Sequence, residues 1–214
     1  MSYKTCPNCD KKLDGLLSSR FILQDSTIAF INGISDIPKE AYCDECGLAI
    51  LNNYTLKIRK EREVLIQELK DKLDIIPILT IPNPANWNYE PITMISAQTV
   101  TGTGFLSEIS ASWADMLGSQ SGALSNKLMN GENLCKDRLR FDALLLGGNA
   151  IIGTDIDYSE VGGAKGMLMV CMAGTAVKVT SWSDNFGANK VLIEELFNKA
   201  ARLTEINQTK IPKI

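Results

Sequence analysis

The stretch LGGNAIIGTDIDY, residues 146–158, decides the fold. Leu146 ends an apolar-periodic segment and Gly147-Gly148 stops it, as glycine does past a helix. Residues 150–158 then read as a strand, with Asp155 and Asp157 on one face. Upstream, Leu124, Leu128, Cys135, Leu139, Ala143 and Leu146 predict a helix over 123–146. Before it come a strand at 92–100, a Thr101-Gly102-Thr103-Gly104 turn and a helix at 105–117 carrying Phe105, Ile109, Trp113 and Leu117. Residues 118–122 break that helix. Downstream, a glycine-rich turn at 162–166 leads to a long strand at 167–179 with a bend at Gly174. A last helix covers 187–203, and the tail 207–214 is expected to fray from Gln208. The order β-α-α-β-β-α predicts an α+β layer domain over 92–206, with helices on one face of a largely antiparallel sheet.

Two further regions precede this domain. Residues 55–73 form a strongly charged helix with one apolar stripe, Ile58, Leu65, Leu69 and Leu73, read as an amphipathic connector. Residues 75–91 hold Pro77, Pro82, Pro84 and Pro91, which predicts an extended linker or an arm hugging a sheet edge. Ile76, Ile78, Leu79, Ile81 and Trp87 are too apolar for solvent, so some of them should dock. The N-terminal module, residues 1–54, is organised by cysteines.

Cys6-Pro7-Asn8-Cys9 and Cys43-Asp44-Glu45-Cys46 are two Cys-x-x-Cys pairs with 33 residues between them. Two residues between thiols let both sulfurs reach one ion from a tight turn, and Pro7 and Asn8 suit that turn. Four thiolates make a closed tetrahedral zinc set with no position left for water, so the expected Zn²⁺ is structural. Short strands at 21–24 and 28–32 and a helix from 48 would complete a treble-clef-like order. A redox pair is the competing reading, but neither pair sits at a helix start after a core strand in an α/β pattern. Cys135 and Cys171 lie in apolar segments and read as packing residues.

The 214 residues include no histidine, and their formal net charge is −3. The missing histidine excludes Ser-His-Asp and Cys-His nucleophile pairs, histidine bases and mixed Cys/His zinc sites. Residues 1–54 carry five positive and seven negative side chains, which argues against nucleic-acid binding. No signal-like or membrane-spanning stretch is evident, so the expectation is a cytoplasmic protein with reduced thiols.

Other groups carry weaker chemistry. Thr101-Gly102-Thr103-Gly104 could hold an anion at a helix start, but the dinucleotide fingerprint is incomplete and a tight turn is the plainer reading. Asp155, Asp157 and Glu160 could bind a hard cation, against the plainer reading of a solvated sheet face. Met167, Met169 and Cys171 share a strand face, whereas Met172 points the other way, and packed core methionines explain them better than soft-metal ligation. Lys165 and Tyr158 could join the carboxylates in an enzyme, but no nucleophile–base pair is recognisable. The expectation is a protein without catalytic residues.

Several segments together resemble the bacterial YbjQ-like family, labelled as heavy-metal-binding. They are Val100-Thr101-Gly102, Ser119-Gln120-Ser121-Gly122-Ala123, the stretch 146–153, Asp155-Ile156-Asp157-Tyr158, and Met167-Leu168-Met169-Val170 with Gly174-Thr175-Ala176-Val177. The resemblance covers residues 92–179. It implies a small α+β domain that assembles as a homopentameric ring. Interfaces are frequent places for ligand pockets, so binding of a small molecule or metal ion at subunit interfaces is the expected use of such a ring. The cysteine module, the charged helix and the last helix are additions to the family's usual pattern. An adaptor whose cysteine module recruits a partner protein is the alternative.

Overall fold

A computed structural model describes residues 3–15, 18–101, 123–161, 167–182 and 189–214. The sequence readings at 102–122, at 162–166 with Lys165, and at 183–188 lie outside the described residues. The chain forms two compact units, Met1–Val64 with Glu205–Ile214, and Leu65–Thr204. The fold is α+β, with four α-helices and a three-stranded antiparallel sheet among the described residues.

In the first unit, a short hairpin pairs β1 (Asp14–Gly15) with β2 (Ser18–Ser19). Helix α1 (Asp25–Ile34) follows, then α2 (Asp44–Lys70), whose residues up to Val64 belong here. The strand expected at 28–32 is therefore helical. Thr27 and Ile31 are buried, and Ile28, Phe30 and Ile34 are partly buried. Those spacings of three and four suit one helix face, and Asp25 complements the positive end of the helix dipole. Residues 21–24 form no strand of their own, although Ile22 bridges antiparallel to Cys43. The helices expected at 48–54 and 55–73 are one continuous element. Leu23, Ile31, Tyr42 and Leu51 make the core of this unit, and Ile211 packs against it. The tail expected to fray is thus partly packed.

In the second unit, β3 (Asn88–Thr101), β4 (Ala150–Val161) and β5 (Met167–Ser181) form a sheet in the order β3-β5-β4. Pro91 is tolerated because β3 is an edge strand with a register shift between Pro91 and Thr93. Helix α3 (Ala123–Leu145) packs on the sheet through Cys135, Leu139, Ala143 and Leu144. Gly147 adopts φ 85° and Gly148 N–H donates to Ala143 O at 2.7 Å, which closes the helix as the glycine pair predicts. Leu146 lies past that end and is half exposed, off the apolar face expected for it. Helix α4 (Lys190–Gln208) adds Ile193, Leu196, Ala200 and Leu203 to the same core. Leu69, Leu73 and Ile76 complete it, so the lower part of the charged helix is a packing element.

The proline-rich segment hugs the outer edge of β4. Ile78 bridges Ile151 in parallel, and Ile151 N–H and Gly153 N–H donate to Pro77 O and Ile81 O at 2.9 and 3.1 Å. Trp87 meets Trp182 edge-on, 4.9 Å between ring centres, over a second cluster of Ala150, Ile152, Val177 and Val179.

Candidate metal centre

The first Cys-x-x-Cys closes as a tight loop. Cys6 N–H donates to Lys11 O and Asp10 N–H to Cys6 O, both at 2.9 Å. Asp10 makes the turn at φ 59°, a left-handed conformation that Asp accepts more readily than most residues. The second pair is placed by the strand-like contact of 21–23 with 42–44. Leu23 N–H donates to Tyr42 O and Asp44 N–H to Phe21 O, each at 3.0 Å. Cys43 immediately precedes α2 and Cys46 lies in its first turn.

These elements bring the four predicted cysteines together. Their sulfurs all lie within 4.8 Å of one another, and Cys9 Sγ and Cys43 Sγ are 4.0 Å apart. A tetrahedron with Zn–S bonds of about 2.3 Å has sulfurs about 3.8 Å apart. One ion fits after a small contraction. Cys6 and Cys43 are buried, Cys9 and Cys46 are half-buried, and no disulfide joins them.

The site also prepares the thiols unequally. Burial opposes ionisation of Cys6, but backbone N–H groups of Asn8, Cys43 and Cys9 outweigh it and bring the thiol down to about 7. Cys43 N–H approaches Cys6 Sγ at 3.3 Å. Burial pushes Cys46 up to about 12, with the Asn8 side chain opposing it and Cys9 and Cys43 adding to it. Burial also raises Cys43. The lowered Cys6 thiol is thus the easiest of these three to ionise, and the raised Cys43 and Cys46 are the hardest. Asn8 was legible as a turn former, but its second role, donating to sulfur, was not.

The remaining candidates do not converge on such a centre. Asp155, Asp157 and Glu160 are exposed on β4, and the nearest polar contact among them is Ser159 Oγ to Asp157 Oδ2 at 3.3 Å. Cys135 is buried 3.5 Å from Val170 O, and burial, with a smaller push from Cys171, raises its thiol to about 11. Cys171 and Met169 are half-buried, and Met172 is in the core. Tyr158 donates to Glu132 Oε1 at 2.8 Å, an α3–β4 tie that the sequence did not reveal. A second missed group is Glu45, inside the second cysteine pair, 2.9 Å from Arg20 Nε and 3.6 Å from Lys11 Nζ.

Among the described residues, no helix is long and apolar enough to cross a membrane. Residues 76–180 match the YbjQ family model, described as "Putative heavy-metal-binding". A UPF0145 protein of Bacillus cereus is 36% identical over 90 residues, which are 42% of this chain and 85% of that protein. A crystal structure of a protein of unknown function from Pediococcus pentosaceus, in the DUF74 family, is 25% identical. That match covers 48% of this chain and 95% of the other, with a TM-score of 0.34. The four clustered cysteines all precede the family match.

Proposed function

Because the chain belongs to the YbjQ family through residues 76–180, we propose that it is a metal-containing assembly protein rather than a catalyst. The N-terminal module holds one structural Zn²⁺ on Cys6, Cys9, Cys43 and Cys46, and the family domain forms a homopentameric ring in the cytoplasm. The observation that carries the zinc reading is the approach of four sulfurs to within 4.8 Å in a chain without histidine. Four thiolates close a tetrahedral shell, which suits a structural ion. The metal belongs to the added module, because among the described residues the four cysteines are the cluster that could hold an ion, and Cys135, Cys171 and the carboxylates of the family segment form none.

Support for self-assembly comes from the resemblance to a ring-forming family and from the sheet itself. Strand β3 is an edge strand fourteen residues long, with Met94 and Val100 exposed. A long edge strand of this kind presents unpaired backbone groups and is a natural template for a partner. The ring's ligand, a small molecule or metal ion, is placed at subunit interfaces.

Metal analysis of the purified chain is expected to give about one zinc per chain. Cys6→Ser or Cys43→Ser should abolish it and loosen the module. Zinc retained at full occupancy in both variants would overturn the ligand set. Native mass spectrometry is expected to show five copies, and a stable monomer would overturn the ring.

A further inference from the structure

The two cysteine pairs reach one ion from distant parts of the chain, so the module must hold two half-sites at binding distance. Backbone contacts between 21–23 and 42–44 do part of this. A side-chain link adds to this. Arg20 takes its backbone position from β2's end, donating N–H to Leu13 O at 2.9 Å. Its Nη1 reaches Lys12 O at 3.4 Å, just beyond the first pair. Its Nε lies 2.9 Å from Glu45 Oε2, between Cys43 and Cys46 of the second pair. Lys11 Nζ approaches the same oxygen at 3.6 Å. The Arg20 side chain is 18% exposed and that of Glu45 50%, so the guanidinium end of the pair is the one held in place.

We propose that Arg20 is a positioning residue that, through Glu45, braces the two Cys-x-x-Cys half-sites into a metal-ready arrangement. This rests on the zinc reading above. The competing account is charge alone, in which the guanidinium merely offsets the negative thiolates. The two accounts differ in sign at Glu45. A brace needs the carboxylate, whereas charge compensation improves when a competing negative group is removed.

The test uses the full chain and four variants, Arg20→Gln, Arg20→Lys, Glu45→Gln and the Arg20→Gln/Glu45→Gln double. Zinc affinity is read by competition with a chromophoric chelator, and cobalt(II) substitution reports the ligand set by its thiolate charge-transfer band. Arg20→Gln and Glu45→Gln should each weaken zinc about tenfold, the range for partners that orient metal ligands. The double variant should be no weaker than the singles, because both remove one link. Arg20→Lys should recover part of the loss, since an ammonium can pair with Glu45 but lacks the guanidinium fork that also reaches Lys12 O. All variants should keep the cobalt band at saturation. Tighter zinc in Glu45→Gln, unchanged affinity in Arg20→Gln, or additive losses would overturn the brace. If Arg20→Gln does not fold, Glu45→Gln and Arg20→Lys still decide the sign. Absence of zinc from the unaltered chain would instead overturn the zinc reading itself.

Discussion

Glu132 on α3 accepts a hydrogen bond from Tyr158 of β4 and pairs with Lys136 Nζ at 3.0 Å. The Tyr158 contact, then Lys136, holds its carboxyl below the usual carboxylate range against a smaller opposing effect of burial. A folded-state pKa that is lowered adds stability above the unfolded-state value, and that stability is lost as pH falls through the folded value. Glu132→Gln should therefore cost about 1 kcal/mol at pH 7, an ordinary size for a hydrogen bond to a charged group in partial solvent. The gap between the two proteins should narrow as pH falls below the ordinary glutamate value of about 4.3, and close only below the lowered folded value. Urea denaturation at pH 7 and at pH 3.5 checks this, and a gap of equal size at both pH values would refute it. The same sign governs Cys6, whose thiol is likewise lowered, to about 7. It protonates as pH falls through that value, so metal uptake should weaken in acid.

At the scale of elements, the sheet depends on one crossing of β4 and β5. The register shifts between Ile152 and Asp155, so Gly153 and Thr154 are accommodated as a bulge opposite Gly174. A Cβ on Gly174 would sit 2.7 Å from Ile151 Cγ2 and 2.8 Å from Thr154 Oγ1, and both residues are buried. Gly174→Ala should therefore lower stability by about 1–3 kcal/mol, the cost of overpacking a filled core. Thermal denaturation followed by circular dichroism reads this, and an unchanged midpoint would show that the bulge gives way freely. Glycine in an apolar strand marks a bend or a close approach, and at Gly174 it is the close approach of Ile151 and Thr154. Elements α3, β4 and β5 were legible, because their patterns are long and locally punctuated. The edge-hugging arm was legible too, because prolines forbid regular pairing while Ile76 and Trp87 demand burial. Helix α1 was not. Ile28, Ile31 and Ile34 are β-branched, and such residues favour strands by local propensity. Packing of Ile31 against Leu23, Tyr42 and Leu51 overrides that preference.

For the whole chain, the cysteine spacing announced the cluster of four sulfurs, because four thiols at Cys-x-x-Cys spacing need no knowledge of the fold to be grouped. What the spacing could not show is that the module recruits the far end of the chain. Nothing periodic marks residues 209–214, and the apolar partners of Ile211 and Ile214 lie in the first part of the chain. Within this unit, Arg62 Nε donates to Asn207 Oδ1 at 3.0 Å, and Thr209 N–H donates to Glu205 O as α4 finishes. Ile211 then packs on the cluster of Leu23, Ile31, Tyr42 and Leu51. Ile214 Cδ1 comes within 3.0 Å of where a Cβ on Gly47 would lie, one residue past Cys46. Removing residues 209–214 should uncover that cluster and cost the unit about 1–2 kcal/mol, the scale for burying part of one aliphatic side chain. The loss should be local. Hydrogen exchange should quicken by about tenfold in α1 and at the start of α2, since 1.4 kcal/mol is a factor of ten in an opening equilibrium. Protection across β4 and β5 should be unchanged, because their core is built from Leu65–Thr204. Equal α1 protection in the shortened chain would mean that the tail rests on the module without supporting it. The restoring control is Ile211→Ala in the full chain, which removes the side chain and leaves the backbone. It should reproduce most of the quickening if Ile211 is the residue that seals the core.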